Sequence, residues 1–154
     1  MNKPETRTES TGELDPRFKH EVAARPGGEN LTLCYACGTC TAACPVAQIE
    51  PQFDPRRIIR AVLLGLKKEV LSSNTIWFCA QCHTCTARCP QNVRFREIVR
   101  VLWQMAVEQG YTRPEVPAEV EKLNRALHQW RRTLIAALLT DPARFEELKE
   151  RFGC

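Results

Sequence analysis

The sequence predicts an all-α protein organised around two metal-binding loops, and three observations carry that prediction. The pattern Cys-x-x-Cys-x-x-Cys-x-x-x-Cys-Pro occurs twice, as Cys34, Cys37, Cys40, Cys44, Pro45 and as Cys79, Cys82, Cys85, Cys89, Pro90. Apolar residues at helical spacing follow each run. No stretch shows the strict apolar–polar alternation of a half-buried strand.

Taken in order, residues 1–16 are polar, carry Pro4 and Gly12, and are expected to form a flexible arm that orders against a partner. Arg25-Pro26-Gly27-Gly28 predicts a turn into the first run. Between the runs, Asp54 and Pro55 have the chemistry of an N-cap followed by proline at the first helical position. Ile58, Ile59, Val62, Leu63 and Leu66 then give one apolar stripe. After Pro90, Phe95, Ile98, Val99, Leu102 and Met105 repeat the period up to Gly110, a residue suited to a helix C-terminus. From Pro117, Val120, Leu123, Leu127, Trp130, Leu134 and Leu138 form a long seam halted by Asp141-Pro142, and a last helix carries Phe145, Leu148 and Phe152. That seam either packs on its own domain or docks on another protein chain. The expected domains are an arm over 1–16, a cluster domain over 17–110 and a helical extension over 111–154.

The cysteine spacing points to two 4Fe-4S clusters. A cysteine every third residue wraps three corners of a cubane from one stretch of backbone, and in bacterial-type runs the cysteine before proline ligates the other cluster. This predicts Cys34, Cys37, Cys40 and Cys89 on one cluster and Cys79, Cys82, Cys85 and Cys44 on the other. The runs repeat at a fixed offset of 45 residues, which extends to Thr39-Cys40-Thr41-Ala42 against Thr84-Cys85-Thr86-Ala87. Structural zinc sites usually offer paired Cys-x-x-Cys arms, so a triple run ending in Cys-Pro is atypical of them. Disulfides suit small secreted proteins, whereas no signal peptide is expected from the polar Met1 to Ser10 segment and cysteines three residues apart pair poorly.

The formal charge is +4. Four thiolates around an oxidised core of about +2 leave about −2 per cluster, so two clusters bring the holoprotein near neutrality. Nucleic acid is therefore not an expected partner. Arg56, Arg57, Arg60, Arg88, Arg94, Arg96 and Arg100 lie close in sequence to the runs, either compensating the clusters or forming a solvated basic face. The longest candidate apolar run, Leu134 to Leu139, is far short of the roughly 20 residues that span a bilayer, and a cytoplasmic location is expected.

Among further residues, Thr39, Thr41, Thr84 and Thr86 are candidates for hydrogen bonds to cluster sulfur or for helix capping. Tyr35, Phe53, Trp77 and Phe78 are expected to form an apolar shell that limits water at the clusters. His83, between two expected ligands, reads as a solvent-facing or hydrogen-bonding residue. Cys154 reads as a free terminal thiol, and His20 and His128 carry no motif.

The paired runs, the Pro26-Gly27-Gly28-Glu29-Asn30-Leu31 lead-in, Asp54-Pro55-Arg56-Arg57-Ile58-Ile59 and the Ile76-Trp77-Phe78-Cys79 approach resemble the C subunit of heterodisulfide reductase over residues 14–110. The resemblance implies an α-helical ferredoxin fold and a hetero-oligomer. In it this chain relays electrons between two partners, the flavin-containing A subunit on one side and, on the other, the catalytic B subunit, which acts on disulfide or thiol substrates. That catalytic partner uses motifs with adjacent cysteines; this chain has no adjacent pair and is expected to be non-catalytic by itself. The competing readings are a freestanding ferredoxin, the iron-sulfur subunit of another soluble oxidoreductase, and a colourless zinc-bound interaction module. A succinate dehydrogenase-type iron-sulfur chain needs a preceding plant-type cluster domain, for which residues 1–33 are too short and lack cysteine.

Overall fold

A computed structural model describes residues 14–152, so most of the expected N-terminal arm and Cys154 lie outside the described residues. The protein is all-α; among the described residues there is no strand. Two compact units divide it, Met1–Pro114 and Glu115–Cys154.

The first unit contains helices α1 (Phe18–Ala23), α2 (Thr39–Ala42), α3 (Pro45–Ile49), α4 (Pro55–Leu64), α5 (Lys67–Ser72), α6 (Thr84–Arg88) and α7 (Phe95–Glu108). Short 3-10 turns at Leu31–Leu33 and Asn74–Phe78 lead into the two cysteine runs. Each turn is anchored by one fully buried residue, Leu31 or Ile76, at the same place in the repeat. Helix α7 is the centre of the core: Ile98, Val99, Leu102, Trp103, Met105 and Ala106 are buried, and α1, α5, α6 and the 74–78 turn pack on it. A continuous apolar stripe over four turns explains why this helix forms and what it buries.

The α4 helix begins and ends as its chemistry dictates. Asp54 accepts a hydrogen bond from the Arg57 N–H at 3.1 Å, and Pro55 occupies the first turn. Gly65 closes the helix in the left-handed region (φ +87°), where a Cβ would also lie 2.4 Å from the Asp15 carbonyl oxygen. The stripe expected to run from Ile58 to Leu66 therefore ends within α4 at Leu63, and Leu66 instead precedes α5. A glycine cap that the apolar period cannot reveal is the reason. Asp15 N–H donates to the Gly65 carbonyl at 2.8 Å, and Lys67 Nζ meets Glu21 at 2.6 Å, which ties the start of the described chain to α1 and α5.

The second unit is a helical hairpin of α8 (Val116–Thr140) and α9 (Pro142–Phe152). Ala137 is its buried point, Phe145 and Leu148 are half-buried, and Leu123, Leu127 and Leu138 of the seam are exposed. These three residues are thus not covered by the pairing of α8 with α9. Among the described residues no helix is long and apolar enough to cross a membrane.

Candidate metal centre

The two cysteine runs have the same backbone. Ala36 and Gly38 flank Cys37 with positive φ (60° and 85°), and Gln81 and His83 flank Cys82 in the same way (54° and 62°). Left-handed backbone at a non-glycine residue costs roughly 1–2 kcal/mol, so its recurrence at equivalent positions marks a shape both runs must hold. Such turns present successive N–H groups to an anion. Helices α2 and α6 then carry the third cysteine of each run and pack against each other; Cys89 follows α6 directly and Cys44 follows α2 after Ala43.

Two cavities result. The first is lined by Cys34, Cys37, Cys40 and Cys89, closed by Ile59, Val93 and Phe95, and edged by Arg56. The second is lined by Cys44, Cys79, Cys82 and Cys85, with Phe53, Pro55, Phe95 and Arg96. Cys85, in α6, also touches the first cavity. The eight described cysteines are free of disulfides. They ring these spaces without converging on a point: among the described residues no three His, Cys, Asp or Glu side chains are grouped as a single ion requires.

The sulfurs are provided with donors. Val93 N–H donates to Cys89 Sγ at 3.3 Å and the Thr39 hydroxyl lies 3.4 Å from Cys37 Sγ, whereas the Thr84 hydroxyl accepts from the Cys82 thiol at 3.4 Å. The Thr39 hydroxyl and N–H hold the Cys37 thiol below its ordinary value. Burial acts the other way: it pushes Cys40 and Cys79 up to about 11 and raises Cys85, although the Arg96 N–H opposes it there. Buried thiols of this kind are inert until a cation displaces their protons. An orphaned donor completes the fit, since Arg96, which lines the second cavity, has a buried Nε with no partner among the described residues. An anionic thiolate-bound core matches that donor set.

Several expected side chains lie elsewhere. Of the four aromatics expected to shield the clusters, Phe53 is buried against the second cavity, and Tyr35 lines the first but is 59% exposed. Trp77 lines neither; it stacks on Trp103 with ring centroids 5.2 Å apart, and Trp103 Nε1–H donates to the Ile76 carbonyl at 2.8 Å. Phe78 is 46% exposed. Phe95 and Val93, apolar residues after the second run, supply the shielding in their stead. Thr41 donates to Asp54 at 2.6 Å and accepts from the Arg56 N–H at 3.0 Å, so its hydroxyl joins α2 to the cap of α4. His83 is exposed at the start of α6. Of the arginines near the runs, only Arg56 and Arg96 line the cavities.

Comparison with known proteins agrees with this geometry. The family described as the 4Fe-4S dicluster domain matches residues 30–93. The chain is 37% identical to the C subunit of the H(2):CoB-CoM heterodisulfide,ferredoxin reductase of Methanothermobacter marburgensis over 103 residues, which cover 67% of this chain and 55% of that one. It is 41% identical to the C2 subunit of the H(2)/formate:CoB-CoM heterodisulfide,ferredoxin reductase of Methanococcus maripaludis over 105 residues, or 64% and 56% of the two chains. It is 42% identical to an iron-sulfur C subunit of the CoB-CoM heterodisulfide reductase of Methanocaldococcus jannaschii over 82 residues, or 53% and 43%. The chain spans about half the length of these curated relatives. Residues 30–93 thus match the 4Fe-4S dicluster domain, and over about two thirds of its length the chain is similar to C subunits of heterodisulfide reductases.

Proposed function

We propose that this chain binds two 4Fe-4S clusters, one on Cys34, Cys37, Cys40 and Cys89 and the other on Cys79, Cys82, Cys85 and Cys44, and passes electrons between two partner proteins. The observation that carries this reading is the pair of cavities, each lined by the first three cysteines of one run and the proline-linked cysteine of the other. Each cluster supplies a site that takes up and releases one electron. The residues of this chain hold it, donate hydrogen bonds to its sulfurs, and exclude water with Phe53, Val93 and Phe95. Ligation of every iron by protein thiolate leaves no open position for a substrate, so the chain relays electrons and does not itself catalyse. By analogy with the relatives named as C subunits, the partners are a flavin-containing A subunit on one side and, on the other, a catalytic B subunit that acts on disulfide or thiol substrates.

Anaerobic metal and sulfide analysis with electron paramagnetic resonance of the dithionite-reduced protein tests the reading. About eight iron and eight sulfide per chain with two magnetically coupled centres are expected; zinc without sulfide would sink it. The crossed ligation is tested by Cys44→Ser. It should perturb the cluster of the second run, and a loss confined to the cluster of Cys34, Cys37 and Cys40 would overturn the assignment.

A further inference from the structure

Arg96 presents a donor that the protein leaves unmet. It is the second residue of α7, it lines the cavity of Cys44, Cys79, Cys82 and Cys85, and its side chain is only 19% exposed. Its Nη1 bridges to Glu97 at 2.9 Å, while Nε is buried and has no acceptor. Its main-chain N–H already bears on the Cys85 sulfur. A guanidinium is charged at every accessible pH and carries five N–H donors, so leaving one of them buried and unpaired is costly unless an anion meets it. Within this cavity the anion that fits is a thiolate-bound cluster.

We propose that Arg96 sets the reduction potential of the cluster in the second cavity, its Nε–H and charge directed at cluster sulfur. This rests on the two-cluster reading above. Reduction adds one electron and one negative charge to that site. A partly buried cation interacts more strongly with the reduced form than with the oxidised one, and a hydrogen bond to sulfur acts in the same sense, so both hold the potential up. Glu97 engages Nη1, and Nε keeps no acceptor among the described residues. Arg56 is the counterpart at the first cavity: it is the second residue of α4 and its Nη1 lies 3.7 Å from where a Cβ on Gly38 would stand. Arg56 is exposed, so solvent and salt screen it and its effect is smaller.

The test is a potentiometric titration of the full-length holoprotein, followed by electron paramagnetic resonance, for wild type, Arg96→Gln, Arg96→Lys and Arg56→Gln. Arg96→Gln should lower one of the two midpoints by at least a tenfold change in the one-electron equilibrium, about 59 mV, and leave the other in place. Arg96→Lys, which keeps the charge without the Nε–H, should lower the same midpoint by less, and it carries the test if the glutamine variant does not take up its clusters. Arg56→Gln should shift a midpoint less than Arg96→Gln does. Two unmoved midpoints in an Arg96 variant with full iron and sulfide would overturn the proposal and leave the cluster reading standing, as would equal displacement of both midpoints. A wild-type chain without iron and sulfide would sink the cluster reading and this proposal with it.

Discussion

Arg25 and Glu108 are separated by most of the first unit in sequence, yet their side chains meet in a two-bonded fork, Nη1 to Oε1 at 2.8 Å and Nη2 to Oε2 at 2.6 Å. The pair fastens the turn after α1 to the last turn of α7. Arg25 holds the Glu108 carboxyl below its ordinary value, chiefly through the hydrogen bonds. A carboxylate with a depressed folded value contributes stability above its unfolded value of about 4.3, and that contribution is lost as pH falls through the folded one. The side chains are 31% and 52% exposed, and solvent screening limits the pair to about 1 kcal/mol or less. Glu108→Gln should therefore lower urea-unfolding stability by up to about 1 kcal/mol at pH 7. The coupling to Arg25→Gln in a double-mutant cycle should fade below pH of about 4.3. A coupling that ignores pH would mean that packing, not charge, joins these side chains.

At the scale of elements, the start of α4 decides how the first cysteine run is held. Asp54 caps the helix through the Arg57 N–H, and the same carboxylate oxygen accepts from Thr41, the residue after Cys40. Thr41 in turn accepts from the Arg56 N–H. One carboxylate thus satisfies an orphan donor of α4 and ties α2 to it. Removing an N-cap acceptor costs about 0.5–2 kcal/mol. Asp54→Ala should lose that much in anaerobic chemical denaturation and should release iron to a chelator faster than wild type. Asp54→Asn, which keeps the acceptor, should recover most of both; equal behaviour of the two variants would show that the negative charge matters and the cap does not. Close backbone approach imposes a similar demand at Gly28, where a Cβ would lie 1.9 Å from the Val22 carbonyl oxygen. A side chain there must displace α1 from the first run.

At the scale of the molecule, every residue lining either cavity falls between Cys34 and Arg96, and the buried core around α7 also belongs to the first unit. The residues proposed to hold the clusters therefore all belong to the first unit. A chain ending at Pro114 should still take up about eight iron and eight sulfide and give the reduced spectrum of the full-length protein. Loss of iron on truncation would show that the second unit is needed to hold the centre. The exposed Leu123, Leu127 and Leu138 give that unit apolar surface beyond what its hairpin uses.

The sequence alone determined the all-helical class, because apolar periods in α4 and α7 and the Asp54-Pro55 cap are local signals that need no knowledge of packing. It also pointed to the chemistry proposed for the centre, since thiolates at a tight and repeated spacing suit an iron-sulfur core. Only the tertiary structure decided which side chains surround that core. Trp77 turns to Trp103, Thr41 turns to Asp54, Phe95 serves both cavities, and Arg96 is left with a buried donor. Nothing in the residue types of Ala36, Gln81 or His83 announces their left-handed backbone. The physical reason is common to all of these. Periodicity fixes which face of an element is buried, but a side chain's partner depends on how separate elements cross, and here that crossing is set by α2 against α6 and by the packing of α7.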